Sequence, residues 1–218
     1  MMNLFKKQIL LFIIFVISFS AHAITLEKTK INLDAPWGMT WLDDNHLLIT
    51  QKSGEIFMVN TQDYSQTAIK HNIPSIQYGQ GGMLDIISEE NNVWVTCSIE
   101  KDGKHTTAIY HAELSGDTLV NEKKIYEALP YIKSPYHFGS RLEIKEDYLY
   151  ASIGDRGEGM IAQDPTNSIG TIIRIHKNGD IPDDNPYVDN PNWLPEIYQI
   201  GVRNPQGMSL DPVSEDIF

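Results

Sequence analysis

Apolar residues in this chain fall in short runs separated by Asp, Asn and Gly, with almost no recurrence at helical spacing. Strands bounded by turns produce that pattern, because side chains alternate faces and polar clusters mark the reversals. One unit recurs along the chain. It opens on glycine and a large apolar residue, runs as a strand into a polar turn, returns as a second strand ending near Thr or Ser, and adds a third. The first copy predicts strands over residues 37–42, 47–50 and 55–59. The second predicts 82–86, 93–96 and 107–111, and the third 141–144, 148–152 and 170–175. Gly207 and Met208 open a fourth copy. The opening glycines Gly38, Gly82, Gly139 and Gly207 lie 44, 57 and 68 residues apart, the excess falling in loops 154–169 and 181–195.

A strand–turn–strand–turn–strand unit repeated at roughly 40–60 residues is what marks β-propeller blades, and insertions on one face of such an array build its binding face. The expected class is therefore all-β, a β-propeller with about three to four blades in this chain; a β-sandwich with long loops is the alternative. Residues 209–218 read as a strand, a polar turn and the start of another strand. That arrangement implies an unpaired edge, and hence that this sequence is part of a longer chain.

The first 23 residues have another purpose. Lys6 and Lys7 precede an apolar run from Ile9 to Val16, extended through Phe19, and Ala21-His22-Ala23 supplies a small-x-small cleavage pattern. This is the layout of a secretory signal peptide, and the run is shorter than the roughly 20 apolar residues of a spanning helix. Residues 1–23 are expected to be a signal peptide and 24–218 the folded part, periplasmic or secreted, with no stable membrane insertion after cleavage. Cys97 is the one cysteine, so no disulfide can form within the chain and stability must come from a hydrophobic core. The whole chain has net charge −12; without Lys6 and Lys7, 15 basic residues face 29 acidic ones, a net −14. Such a field disfavours nucleic acid and anionic lipid, and favours small neutral ligands or a local cationic pocket.

Chemistry concentrates where blades begin. Ser134-Pro135-Tyr136-His137-Phe138-Gly139 places an imidazole on a loop ahead of a strand, where a group that titrates near neutrality can act as a general base. Gly201-Val202-Arg203-Asn204-Pro205-Gln206-Gly207-Met208 places a guanidinium and an amide at the corresponding point of the next unit. An arginine there can stabilise a developing oxyanion, or simply brace its own turn. Gln80, between Gly79 and Gly81, holds the same register ahead of the second unit. Three polar side chains at equivalent points of successive blades would converge on one pocket.

Other chemistries find no support. No H-x-H, H-E-x-x-H or C-x-x-C spacing suggests a metal site, and no G-x-S-x-G elbow suggests a nucleophilic serine. The glycines of 153–159 read as a loop, and the acidic run 180–185 as a solvated turn.

These motifs resemble the glucose/sorbosone dehydrogenase family, specifically its soluble aldose sugar dehydrogenases that use pyrroloquinoline quinone (PQQ). The resemblance rests on Pro36-Trp37-Gly38-Met39, Gly79-Gln80-Gly81-Gly82-Met83-Leu84, His137-Phe138-Gly139-Ser140-Arg141-Leu142, Ile153-Gly154-Asp155, Ala162-Gln163-Asp164, the 179–186 segment and the 201–208 segment. It implies a six-bladed propeller oxidising aldoses at the anomeric carbon to lactones. By the same resemblance His137 is the base and a substrate contact, and Arg203 stabilises charge on the quinone. Asn204 holds the cofactor, and Gln80 touches sugar or cofactor. The partners implied are a small-molecule aldose and a periplasmic electron acceptor. Calcium is implied as well, with ligands beyond residue 218 and none here. Tyr136 stands where glucose-specific members carry an aspartate, which points to the broader aldose group. A non-catalytic secreted propeller binding sugars or proteins is the competing reading, and a calcium-dependent lactonase on a similar propeller a further one.

Overall fold

The computed structural model describes residues 25–218, so the segment 1–23, expected to be a signal peptide, lies outside the described residues. The chain divides into two units at Lys30. Residues 25–30, the described part of the first, are exposed and carry no strand. The second unit, Ile31–Phe218, holds three four-stranded antiparallel sheets, each with its strands in chain order. The first contains β1 (Pro36–Trp41), β2 (His46–Gln51), β3 (Ile56–Asn60) and β4 (Gln66–Ile69). The second contains β5 (Met83–Glu89), β6 (Asn92–Lys101), β7 (Lys104–Ser115) and β8 (Thr118–Glu127). The third contains β9 (Gly139–Lys145), β10 (Tyr148–Ile153), β11 (Thr171–His176) and β12 (Ile197–Ile200). This is the meandering blade of a propeller, and it accounts for every strand expected in the three complete repeats.

The alternation along β6 explains how the blades stack. Val93, Val95 and Cys97 face a core shared with Leu48, Ile56 and Met83. Trp94 faces the opposite way, into a core with Leu142, Leu149, Ile153 and Ile173. Period-two geometry sends neighbouring residues to opposite faces, so the middle sheet is greasy on both sides and is sandwiched by its neighbours. Cys97 is one of these core residues, and burial pushes its thiol up to about 12, which keeps it a neutral hydrophobe.

The repeat is a strand longer than the sequence suggests. β4, β8 and β12 close each sheet on its outer side, and their exposed residues (Gln66 and Thr67 in β4, Lys123 and Lys124 in β8, Tyr198 and Gln199 in β12) carry a weak apolar signal. Charge at an outer edge is expected, since it discourages pairing with other chains. His105 and His111 both lie inside β7. The fourth copy is an isolated bridge between Leu210 and Ile217, so the 201–208 segment enters no regular strand. The acidic segment 180–185 is not simply solvated. Asn185 is buried and, with Asp184, accepts hydrogen bonds from Arg174, pinning the loop to β11.

Candidate active site

Four loops meet where the inner strands β5 and β9 begin. Gln80 donates its backbone N–H to Pro135 O at 2.8 Å, and its side-chain Oε1 accepts the N–H of His137 at 2.8 Å. The 79–82 loop is thereby stitched to the 134–139 loop. Gly81 sits so close that a Cβ there would lie 2.7 Å from the Phe138 ring. On the far side, Gly154 N–H donates to Phe138 O at 3.2 Å, and Asn204 Oδ1 accepts Gly139 N–H at 3.1 Å. Asp155 N–H donates to Arg203 O at 2.7 Å. Gln80, His137 and Asn204, together with the backbone of Arg203, therefore belong to one hydrogen-bonded cluster, in the shared register that the sequence suggests.

The chemical centre is a pair. His137 Nδ1 lies 2.6 Å from Asp155 Oδ1, which also accepts the N–H of Gly157 at 2.7 Å. An ionised carboxylate can only accept, so Nδ1 carries the proton. Nε2 makes no hydrogen bond with the described residues. The Asp155 side chain is 5% exposed and that of His137 16%, so the pair sits at the boundary between core and solvent. His137 takes a left-handed φ of 52°, which aims its side chain out of the line of the strand that follows. A buried carboxylate that fixes tautomer and ring, with the outer nitrogen free, is the arrangement a general base needs.

A second brace lies beside it. Asp85, 2% exposed on β5, accepts Arg141 Nη1 at 2.7 Å and Leu142 N–H at 2.8 Å. Arg141 also lies over the Trp37 ring at 4.7 Å and donates from Nε to Gln206 O at 3.0 Å. One ion pair thus ties β1, β5, β9 and the 201–208 segment together. Burial pushes the Asp85 carboxyl up to about 6, against the pull of Arg141.

Arg203 meets the cluster through its carbonyl; its guanidinium is exposed and forms no ion pair among the described residues. The sequence reading missed Asp155 and Arg156, which lie in the 153–159 glycine loop. The signal available was the glycine pattern itself. A Cβ on Gly154 would lie 2.5 Å from the His137 carbonyl carbon, so this loop must press directly against the backbone bearing the base. A separate hollow of about 350 Å³, walled by Trp94, His111, Lys123 and Lys177, lies away from these residues, and its polar side chains largely satisfy one another.

The donor set suits an electron-rich, anionic cofactor. The Gln80 and Asn204 amide oxygens are already committed to backbone N–H groups, so their NH₂ groups remain available to donate, beside the exposed Arg203 guanidinium. No cluster of His, Cys, Asp or Glu able to hold a metal ion occurs among the described residues.

Comparison with known proteins agrees with this picture. The chain is 31% identical over 206 residues to the aldose sugar dehydrogenase YliI of Escherichia coli (strain K12), covering 89% of this chain and 55% of that protein. It is 28% identical over 218 residues to quinoprotein glucose dehydrogenase B of Acinetobacter calcoaceticus, covering 83% and 45%. The crystal structure of the apo-form of soluble aldose sugar dehydrogenase from Escherichia coli superposes with a TM-score of 0.80 at 31% identity, over 85% of this chain and 56% of that one. The chain thus spans about half the length of these curated relatives. A family model described as Glucose / Sorbosone dehydrogenase matches residues 33–218, and the chain belongs to that family.

Proposed function

We propose that this chain carries the proton-accepting half of a PQQ-dependent aldose dehydrogenase site, oxidising the anomeric carbon of a sugar to a lactone. The observation that carries the reading is the His137–Asp155 pair at 2.6 Å, with Nε2 left free. His137 Nε2 accepts the proton of the anomeric hydroxyl as the C–H bond at that carbon breaks, and Asp155 stabilises the imidazolium that results. PQQ, when bound, would supply the acceptor for the hydride. Gln80 and Asn204 would donate from their free amide NH₂ groups to sugar or cofactor oxygens. The exposed Arg203 guanidinium would provide a positive charge for the oxygen that gains electron density. The resemblance and the name of the quinoprotein relative support PQQ. Calcium, implied by the resemblance, would take its ligands beyond residue 218.

Localisation is part of the same proposal. The segment 1–23 directs export, and the periplasm supplies both aldose and electron acceptor. No helix among the described residues is long and apolar enough to cross a membrane.

The test is dye-coupled oxidation of a panel of aldoses with and without added PQQ. Turnover that needs PQQ and falls about 10²-fold or more in His137→Ala supports the reading, since that is the usual worth of a positioned base. Turnover indifferent to PQQ refutes it.

A further inference from the structure

Arg156 is wholly buried, yet no carboxylate forms an ion pair with it among the described residues. Its guanidinium donates from Nε to Tyr136 O at 2.9 Å, from Nη1 to His105 O at 2.8 Å, and from Nη2 to Ser134 O. Its plane lies over the Phe138 ring, 3.5 Å from the centroid. Its own N–H donates to His137 O at 3.2 Å. Every one of these partners except His105 belongs to the loop 134–138, with His137 between two of them. Burying a cation without a counter-charge is costly, and burial does draw Arg156 down to about 10, which still leaves it charged at neutral pH. A fork of five donors in fixed geometry can hold several carbonyls at once, which a lysine ammonium cannot do in a plane.

We propose that Arg156 is a positioning residue for His137: it clamps the Ser134 and Tyr136 carbonyls ahead of the base and stacks on the Phe138 ring after it, so that the imidazole stays seated on Asp155. The adjacent residues divide the task, Asp155 fixing the ring and Arg156 the backbone that carries it. This rests on the reading of His137 as the general base, but the clamp itself can be tested without catalysis.

The primary readout is the downfield NMR resonance of the His137 Nδ1 proton in cofactor-free protein, assigned by its loss in Asp155→Asn. Arg156→Lys keeps the charge and loses the fork. It should fold, and the downfield resonance should broaden away or move upfield. In PQQ-loaded protein, kcat for aldose should fall at least tenfold with KM within twofold. If Arg156→Lys does not fold, Phe138→Leu, which removes the ring face and leaves the guanidinium, should give a smaller shift of the same resonance and a severalfold loss in kcat. An unchanged resonance in a folded variant overturns the proposal, and so does a kcat within twofold of wild type beside an altered melting temperature, which would make Arg156 structural only. A wild-type protein inactive with PQQ would sink the oxidation reading while leaving the NMR result to decide the clamp.

Discussion

The glycine at 154 offers the sharpest quantitative prediction, because one methyl group there reports on how tightly the base is held. A Cβ added to Gly154 would lie 2.5 Å from the His137 carbonyl carbon and 2.8 Å from Gly139 N. Non-bonded carbons rest about 3.5–4.0 Å apart, so the two backbones must separate by about 1 Å. Gly139 offers no relief: it holds φ 68°, and its own Cβ position is 2.6 Å from Gly154 N. Separation would break the Gly154 N–H bond to Phe138 O and strain the Gly170 N–H bond to Gly154 O, both 3.2 Å. Two backbone hydrogen bonds at about 1 kcal/mol each, plus the distortion of an overpacked site at about 1 kcal/mol, give a loss near 3 kcal/mol. For a chain of this size that is about 6–12 °C in Tm. Misplacing a catalytic group by about 1 Å costs about 10²-fold in rate. Gly154→Ala should therefore melt lower by circular dichroism and lose about two decades of kcat in PQQ-loaded, dye-coupled assays. A variant with wild-type Tm and turnover would refute the close backbone packing on which the site geometry depends.

Further predictions follow from the same contacts. Asp155→Asn removes the acceptor-only partner of His137 and should lower kcat by about 10²-fold or more, with little change in Tm, as read by paired turnover and melting assays. His105 is buried, stacked on Tyr78 at 4.0 Å, and held below its ordinary value by burial first and by the Arg156 charge second. The unfolded chain thus binds that proton more readily, so stability should fall as pH drops below about 6.5; His105→Gln should flatten that part of a urea-melt pH profile. Asp85 behaves oppositely, because burial raises it from 3.8 to about 6 in the folded protein. Its stabilising contribution is fully present below pH 3.8 and is lost as pH rises to about 6, so wild type should lose about 3 kcal/mol relative to Asp85→Asn across that window. Parallel pH profiles for the two proteins would contradict this.

The middle strands were legible in the sequence because they are the greasiest: Val93-Trp94-Val95 in β6 and Leu149-Tyr150-Ala151 in β10 are buried on both faces. The outer strands were not, since β8 presents Asn121, Lys123 and Lys124 to solvent and satisfies its backbone through β7. Gln80 and His137 could be picked out by their register ahead of a repeat, and His137 Nδ1 lies within 2.6 Å of a partner that register does not reveal. Asp155 is 18 residues away in a loop that reads as a turn, and pairing across such a distance leaves no local pattern. Arg156 is harder still to read, because an arginine in a glycine-rich loop carries no sign of burial and this one is fully buried under carbonyls. Arg203 was expected to present its guanidinium to the site, but what ties it to the cluster is its backbone carbonyl.

The central claim is that His137 Nε2 takes the substrate proton. Single-turnover reduction of the bound quinone by an aldose, followed optically in His137→Ala that has first been shown to bind PQQ, addresses it most directly. The account predicts a rate at least about 10²-fold below wild type with cofactor affinity retained. Reduction at the wild-type rate would contradict it.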